Sequence, residues 1–139
     1  MTDCIFCAIV AGQAPARVVH ETPRTLAFLD VNPATRGHTL VVPRGHARDL
    51  HDVAADDLAE VAATAQQVAA AAVSHLGAAG VNLVQSSGAV AFQTVFHLHV
   101  HVIPRYLDDG LVLPWVPAPG DAAAMDAAAD DLRGALTGA

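Results

Sequence analysis

The chain has 139 residues, a length that fits a single domain. Its formal charge of −7 excludes general nucleic-acid binding, which needs a basic surface. No apolar run approaches the ~20 residues of a membrane span, and the first residues lack the pattern of a signal peptide, so we expect a cytoplasmic protein without a membrane partner.

The first half of the chain predicts a short helix followed by three strands. Residues 4–12 are expected to form the short helix or a turn. Arg17–Glu21 and Thr25–Asp30 are predicted strands, and the Thr-Pro-Arg turn between them indicates a hairpin-like pair. His38–Val42 is the third predicted strand, which we expect to stop at Pro43.

A long helix is predicted after the third strand. Asp52 or Asp56 is expected to cap its N-terminus, and Gly77 is expected to end it. Apolar residues recur at helical spacing at Leu58, Val61, Ala65, Val68, Ala72 and Leu76. This apolar stripe must be covered, and a two-fold contact between copies commonly does so; we therefore expect a homodimer.

The second half completes the sheet and adds a terminal helix. Val81–Gln85 is the fourth predicted strand, 86–91 is a loop of small residues, and Val95–Pro104 is the fifth strand. A last amphipathic helix is expected to begin near Asp121. This order predicts an α+β fold with a five-stranded, mostly antiparallel sheet, one long helix and a C-terminal helix.

The fifth predicted strand carries the most informative motif. His97, His99 and His101 alternate with apolar residues, and successive side chains of a strand point to opposite faces. The imidazoles would therefore line one face, roughly 6.7 Å apart, while the apolar residues enter the core. Two chemistries fit this face. The imidazoles could bind a metal ion, or one could attack a phosphorus while the others bind its oxygens.

Cys4 and Cys7 form a second motif. A lone Cys-x-x-Cys in a cytosolic protein is ambiguous between redox activity, metal binding and no function at all. A closed structural zinc site takes four ligands, so two histidines would have to come from elsewhere in the chain.

Several segments together resemble the histidine triad (HIT) family, in the family's order and spacing, and in particular its bacterial Hint-type purine nucleoside phosphoramidases. These segments are Leu26–Asp30, Gly37–Pro43, Ala91–Phe96 and His97–Arg105. The resemblance runs from about Cys4 to Arg105. We therefore place the core of a single HIT domain, residues 1–139, at 4–105, and a tail with a C-terminal helix at 106–139.

The resemblance implies a small nucleotide hydrolase or transferase, usually a two-fold dimer. It implies that His99 attacks the α-phosphorus of an AMP-type or GMP-type nucleotide and forms a nucleotidyl-histidine intermediate. His101 would donate to a phosphate oxygen, and His38 would support the triad from a neighbouring strand. His97 would help to hold the nucleophilic ring. No catalytic metal is required by this chemistry.

The resemblance also implies a nucleotide pocket. Its substrate-binding residues would be Phe28, Leu29, Asp30, Val31, Ser86, Gln93, Thr94 and Val95. Asp30 would accept hydrogen bonds from the ribose hydroxyls, while Gln93 and Thr94 would face the α-phosphate and leaving group. Ser86 lies near the position of a sugar contact, and Phe92 replaces the glycine usual before the glutamine.

Some bacterial members of this family bind zinc, and the matching residues here are Cys4, Cys7, His46 and His97. Such a Cys₂His₂ set has no open coordination position, so the implied zinc is structural. The remaining histidines, His20, His51 and His75, are expected at the surface.

The expected reaction is the hydrolysis of purine nucleoside 5′-phosphoramidates. One alternative is a dinucleoside polyphosphate hydrolase with the same nucleophile. Another is a nucleotide-binding regulatory module with little turnover, against which the intact His99 and His101 argue. A third is an enzyme that uses His97, His99 and His101 as zinc ligands, which the lack of acidic residues close to the triad disfavours.

Overall fold

The structure, a computed structural model, describes residues 3–138, so positions 1, 2 and 139 of the predicted domain lie outside the described residues. In chain order the elements are α1 (Ile5–Val10), β1 (Val18–Glu21), β2 (Thr25–Leu29), β3 (Thr39–Pro43), α2 (Ala55–Leu76), β4 (Gly80–Gln85), a short 3₁₀ helix (Ala89–Ala91), β5 (Val100–Arg105) and α3 (Ala122–Thr137). The strands form one antiparallel sheet in the order β1-β2-β3-β5-β4. The predicted α+β fold is confirmed.

The two faces of the sheet bury different cores. Helix α2 covers one face, where Val61 and Ala65 pack against Val41 of β3 and Val100 of β5. Helix α1 covers part of the other face through Phe6, which packs among Phe28, Leu40 and other sheet residues. His101 is paired in register with Leu40, so its side chain lies on the α1 face.

The start of α2 differs from the prediction. Ala54 is the N-cap and makes no side-chain capping bond, so the expected capping by Asp52 or Asp56 is wrong. The Asp52 carboxylate instead accepts the backbone N–H of Arg48 in the preceding turn. Asp56 lies within the first helical turn, where a negative charge favours the positive end of the helix dipole and pairs with Arg24.

The apolar stripe of α2 lies against this chain's own sheet. Val61, Ala65 and Ala72 are buried, and Val68 packs against the same core. The sheet therefore already covers the stripe, and the expectation that a second copy must cover it is wrong. Any contact with a second copy has to use another surface.

The fifth strand begins at Val100 rather than at the predicted Val95. The pairing of β3 with β5 ends at Val41 and Val100, because the backbone N–H of Leu98 donates to Ala47 instead, at 2.7 Å. The alternation nevertheless holds through this irregular segment, since Leu98 and Val100 both lie in the α2-side core. Consequently only His101 is on the strand itself, and His97 and His99 precede it.

The chain leaves the sheet through an ion pair. The guanidinium of Arg105 bonds both carboxylate oxygens of Asp109, at 2.7 and 2.9 Å. Helix α3 then begins after Asp121, close to the predicted start, and the Asp121 carboxylate caps it by accepting the N–H of Ala124. Within residues 3–138, no helix is both long and apolar enough to cross a membrane.

Candidate active site

His99 holds its ring through a main-chain acceptor. Its Nδ1 lies 2.8 Å from the carbonyl oxygen of His97. A carbonyl can only accept a hydrogen bond, so Nδ1 carries the proton and Nε2 of the neutral ring keeps its lone pair. Phe6 packs edge-on against the ring with centroids 5.1 Å apart. In the neutral ring this arrangement leaves Nε2 unprotonated, and an unprotonated imidazole nitrogen can act as a nucleophile.

A chain of hydrogen bonds fixes the opposite tautomer of His101. The backbone N–H of Ala34 donates to His38 Nδ1 at 2.9 Å, so the proton of the neutral His38 ring lies on Nε2. His38 Nε2 lies 2.9 Å from His101 Nδ1 and donates to it. The neutral His101 ring therefore carries its proton on Nε2, and it can donate a hydrogen bond from this second nitrogen.

Burial keeps these two rings neutral. Burial, together with the nearby His99 and His38, lowers the pKa of His101 to about 4, although the Asp30 carboxylate opposes this effect. Burial also lowers the pKa of His38, although the Asp30 carboxylate partly opposes this effect. At neutral pH the donor next to His99 is thus a neutral N–H rather than an imidazolium ion.

Asp30 lies directly after β2, beside both histidines. Its Oδ1 accepts the backbone N–H of Asn32 at 2.8 Å, while its Oδ2 lies 3.5 Å from His38 Nε2. His101 Nδ1 is 3.9 Å from the same oxygen. The carboxylate is mostly buried but still has capacity to accept further bonds.

A cavity of about 560 Å³ opens in front of these groups on the α1 face. Its lining includes eight of the predicted site residues, namely Phe28, Leu29, Asp30, Val31, Thr94, Val95, His99 and His101. The remaining lining was not predicted and consists of Ile5, Phe6, Ile9, Ala14, Pro15, Ala16, Asn32 and Leu40. The cavity is therefore apolar at the α1 end and polar at the histidine end, and its volume is typical of small-molecule sites.

Ser86 and Gln93, which were also expected to contact the substrate, do not line this cavity. The Gln93 amide is buried and bonded to the backbone on every side. Its Oε1 accepts from Gly88 at 2.8 Å, and its Nε2 donates to Arg48 at 2.8 Å and to Val95 at 3.1 Å. Gln93 thus holds the loop together rather than facing the cavity.

Phe92 occupies a backbone conformation that suits glycine. Its φ is 72°, the only positive φ of a non-glycine residue among the described residues. A side chain in this left-handed region is strained because its Cβ approaches the following carbonyl. The ring itself points to solvent, with 84% of the residue exposed.

Cys4, Cys7, His46 and His97 lie together, and their ligand atoms are all within 4.8 Å of one another. Nδ1 of His97 lies 3.5 Å from each sulfur, and Nδ1 of His46 lies 3.3 Å from that of Cys7. Ordinary zinc bond lengths place sulfur and nitrogen ligands of one tetrahedral ion ~3.6 Å apart. The donor set and its spacing therefore fit a structural zinc ion.

The three histidines of the motif do not lie in one cluster that could hold a metal ion. Among residues 3–138, His97 groups with the cysteines, whereas His101 groups with Asp30 and His38. In the second group His38 Nε2 donates to His101 Nδ1, so these two nitrogens already bind each other. His99 belongs to neither group. This arrangement argues against a zinc enzyme with the triad as ligands. His20, His51 and His75 are exposed, as predicted.

The fold is α+β, and the site sets the imidazoles of His99 and His101 side by side at a cavity that is apolar at its α1 end. The family model for the HIT domain matches residues 11–108, and the chain belongs to this family. It is 34% identical to the adenosine 5′-monophosphoramidase hnt1 of Schizosaccharomyces pombe over 118 residues, which cover 84% of this chain and 86% of that protein.

Two solved structures illustrate the likeness. SMU.412c from Streptococcus mutans superposes with a TM-score of 0.91 at 37% identity and covers 98% of this chain and 87% of its own. A zinc-bound histidine triad family protein from Mycobacterium smegmatis has a TM-score of 0.77 at 43% identity, with 96% of this chain and 97% of its own covered.

Proposed function

We propose that the protein hydrolyses purine nucleoside 5′-phosphoramidates through a nucleotidyl-histidine intermediate on His99. The observation that carries this proposal is the 2.8 Å bond from His99 Nδ1 to the His97 carbonyl, which leaves Nε2 as the nucleophilic atom beside the cavity. The name of the Schizosaccharomyces pombe relative supports the choice of substrate class.

The reaction proceeds in two displacements at the α-phosphorus. His99 Nε2 attacks the phosphorus, the P–N bond breaks, and the amine leaves with the electron pair of that bond and a proton from water. His101 donates its Nε2 proton in a hydrogen bond to a phosphate oxygen and so stabilises the charge of the transition state. Water then attacks the phosphorus of the nucleotidyl-histidine, the bond from phosphorus to His99 Nε2 breaks, and the nucleoside monophosphate leaves. The proton lost by this water neutralises the hydroxide left by the first displacement, and the neutral His99 ring is restored.

The cavity suits the rest of the nucleotide. Its apolar end, with Phe6, Phe28 and Leu40, accepts the purine ring. Its polar end, lined by His99, His101 and Thr94, would receive the α-phosphate. Asp30 lies between these ends in the proposed pose and faces the ribose.

A structural zinc ion completes the proposal. Cys4, Cys7, His46 and His97 would hold it, and the zinc-bound relative from Mycobacterium smegmatis supports this assignment. The ion would join α1 to the segment before β5. All four ligand positions would be filled by the protein, so the ion is assigned no step in the reaction.

A substrate panel with a matched pair of variants tests the proposal. Wild-type protein is expected to turn over nucleoside phosphoramidates faster than dinucleoside polyphosphates. His99→Ala is expected to lower turnover at least about a thousandfold, because it removes the attacking atom, while the Kd for AMP stays close to that of wild type. His75→Ala, at an exposed histidine of α2, is the control and should retain full turnover.

Two results would count against this function. Near wild-type turnover by His99→Ala would remove the nucleophile assignment. Faster turnover of dinucleoside polyphosphates would keep the nucleophile and replace the substrate class.

A further inference from the structure

His97 contacts both the cluster of Cys4, Cys7 and His46 and the ring of His99. Its ring faces both cysteine sulfurs through Nδ1 and donates from Nε2 to the Pro43 carbonyl at 2.9 Å. Its own carbonyl accepts the 2.8 Å bond from His99 Nδ1. A single residue therefore links the sulfur ligands to the ring that attacks the phosphorus.

The backbone around His97 lacks the support of the sheet. The ladder between β3 and β5 stops at Val100, so the peptide that carries the His97 carbonyl lies outside it. On its N-terminal side the nearest anchor is the His97 ring, and on its C-terminal side it is Leu98, buried in the α2-side core with its N–H on Ala47. The peptide that carries the His97 carbonyl is therefore held by the Leu98 N–H on one side and by the His97 ring on the other, and loss of the hold on the ring would let the carbonyl turn.

The buried His97 ring packs against the rings of Phe6 and His46. Its Nε2 is hydrogen-bonded to the Pro43 carbonyl, and its Nδ1 faces the two sulfurs. Without an ion, sulfur and nitrogen atoms 3.3–3.5 Å apart hold one another only through shared protons. An ion bonded to all four atoms would fix the His97 ring rigidly, and the orientation of a metal ligand is coupled to that of its hydrogen-bond partners.

We infer that Cys4, Cys7 and His46 are positioning residues for the nucleophile, acting through zinc on the His97 ring and through the His97 carbonyl on the tautomer and orientation of His99. This inference rests on the proposed function of His99. It makes the zinc more than a cross-link of the fold, because the ion would set which nitrogen of His99 is free to attack. None of the three residues is given any contact with the substrate.

The test measures the covalent step and the His99 ring separately. Zinc-loaded and zinc-depleted wild-type protein are compared by single-turnover formation of the nucleotidyl-histidine, by the Kd for AMP, and by ¹⁵N NMR of labelled histidine at one neutral pH. We expect zinc depletion to slow the covalent step about 10–100-fold, the range typical of lost outer-shell partners. The Kd for AMP should change less than about twofold, and the His99 signals should no longer show a single tautomer protonated at Nδ1.

Variants make the test independent of chelation. His46→Ala removes an exposed ligand and leaves both cysteines and His97 in place, so it should reproduce the depleted state with the fold intact. His46→Cys returns a sulfur ligand and should recover both zinc binding and the rate. Val61→Ala, at a fully buried position of the α2-side core, is the control for general destabilisation and should keep the rate and the His99 signals.

The outcomes separate this inference from the proposed function. A covalent step that keeps its rate and its His99 tautomer without zinc would overturn the inference, and so would a protein that binds no zinc. A loss of rate in Val61→Ala equal to that in His46→Ala would also overturn it. If His99→Ala retains turnover, the proposed function fails instead, whatever zinc does.

Discussion

Main-chain groups decide which histidine nitrogen does what in this protein. The carbonyl of His97 accepts a hydrogen bond from His99 Nδ1 and so keeps the proton of that ring on Nδ1. The N–H of Ala34 donates to His38 Nδ1, so the neutral His38 ring carries its proton on Nε2 and donates it to His101 Nδ1. The neutral His101 ring therefore carries its proton on Nε2. One ring therefore offers a lone pair beside the cavity and a neighbouring ring offers a proton. Side chains alone would not distinguish these two roles.

The Asp30 carboxylate is expected to contribute to ribonucleotide binding. It is mostly buried beside the cavity, and the N–H of Asn32 occupies only part of its accepting capacity. Hydrogen bonds to a charged acceptor contribute roughly 1.5–3 kcal/mol. Asp30→Ala is therefore expected to weaken binding of a ribonucleotide about tenfold or more, and to change the Kd of the 2′,3′-dideoxynucleotide little, as measured by calorimetry.

Asp30→Asn serves as the control, because it keeps the size of the side chain and one acceptor oxygen. It should fall between wild type and Asp30→Ala for the ribonucleotide. Equal losses for both nucleotides would mean that Asp30 acts through His38 and His101, which lie within 4 Å of its Oδ2, rather than on the ribose.

At the scale of elements, periodicity predicted which residues face the core better than where each element begins. The alternation of His97–Val102 correctly put the apolar residues into the α2-side core. The strand itself starts only at Val100, because hydrogen-bond partners such as Ala47 decide the ladder and cannot be read from the local pattern. The same holds for α2, whose stripe was predicted while its cap was not.

The residues of the candidate site also include some that the sequence predicted and some that it did not. His101 could be placed on its face of the sheet from strand periodicity. Asp30 and His38 were expected in the site only because their segments resemble the HIT family. The apolar wall from α1 and the loop after it, including Ile9 and Pro15, was missed. Whether a short helix closes a cavity depends on tertiary packing, for which the sequence of α1 carries no separate signal.

The loop before β5 stores strain at Phe92. With φ at 72° and 84% of the residue exposed, its side chain gains little packing in return for an unfavourable backbone. Phe92→Gly is expected to raise the free energy of unfolding by about 0.5–1 kcal/mol, since relief of the left-handed strain outweighs the added entropy of the unfolded chain. Urea unfolding followed by circular dichroism measures the change.

Val90→Gly is the matched control in the same loop. Val90 is 96% exposed, and its φ is not positive, so glycine there brings only the entropic cost and should lower stability. Equal destabilisation by both substitutions would show that the Phe92 ring contributes packing that offsets its backbone strain.

At the scale of the whole molecule, the apolar surface that stays exposed after folding is not the α2 stripe predicted from the sequence. Strand β4 lies at an edge of the sheet, and its Leu83 and Val84 are 54% and 41% exposed. Val73 of the neighbouring α2 is 50% exposed. An apolar edge strand is prone to pair with another chain. We propose that the protein is a two-fold dimer in which β4 of each copy pairs with β4 of the other.

Leu83→Lys is expected to dissociate this dimer, because two-fold symmetry would place two like charges at one desolvated seam. Light scattering at micromolar concentration should give twice the chain mass for wild type and the chain mass for the variant. Val112→Lys, at a tail position that is 87% exposed, adds the same charge away from the edge and should leave the mass at the dimer value. A monomeric wild type would remove the dimer altogether. Dissociation by Val112→Lys alone would move the interface from β4 to the segment between β5 and α3.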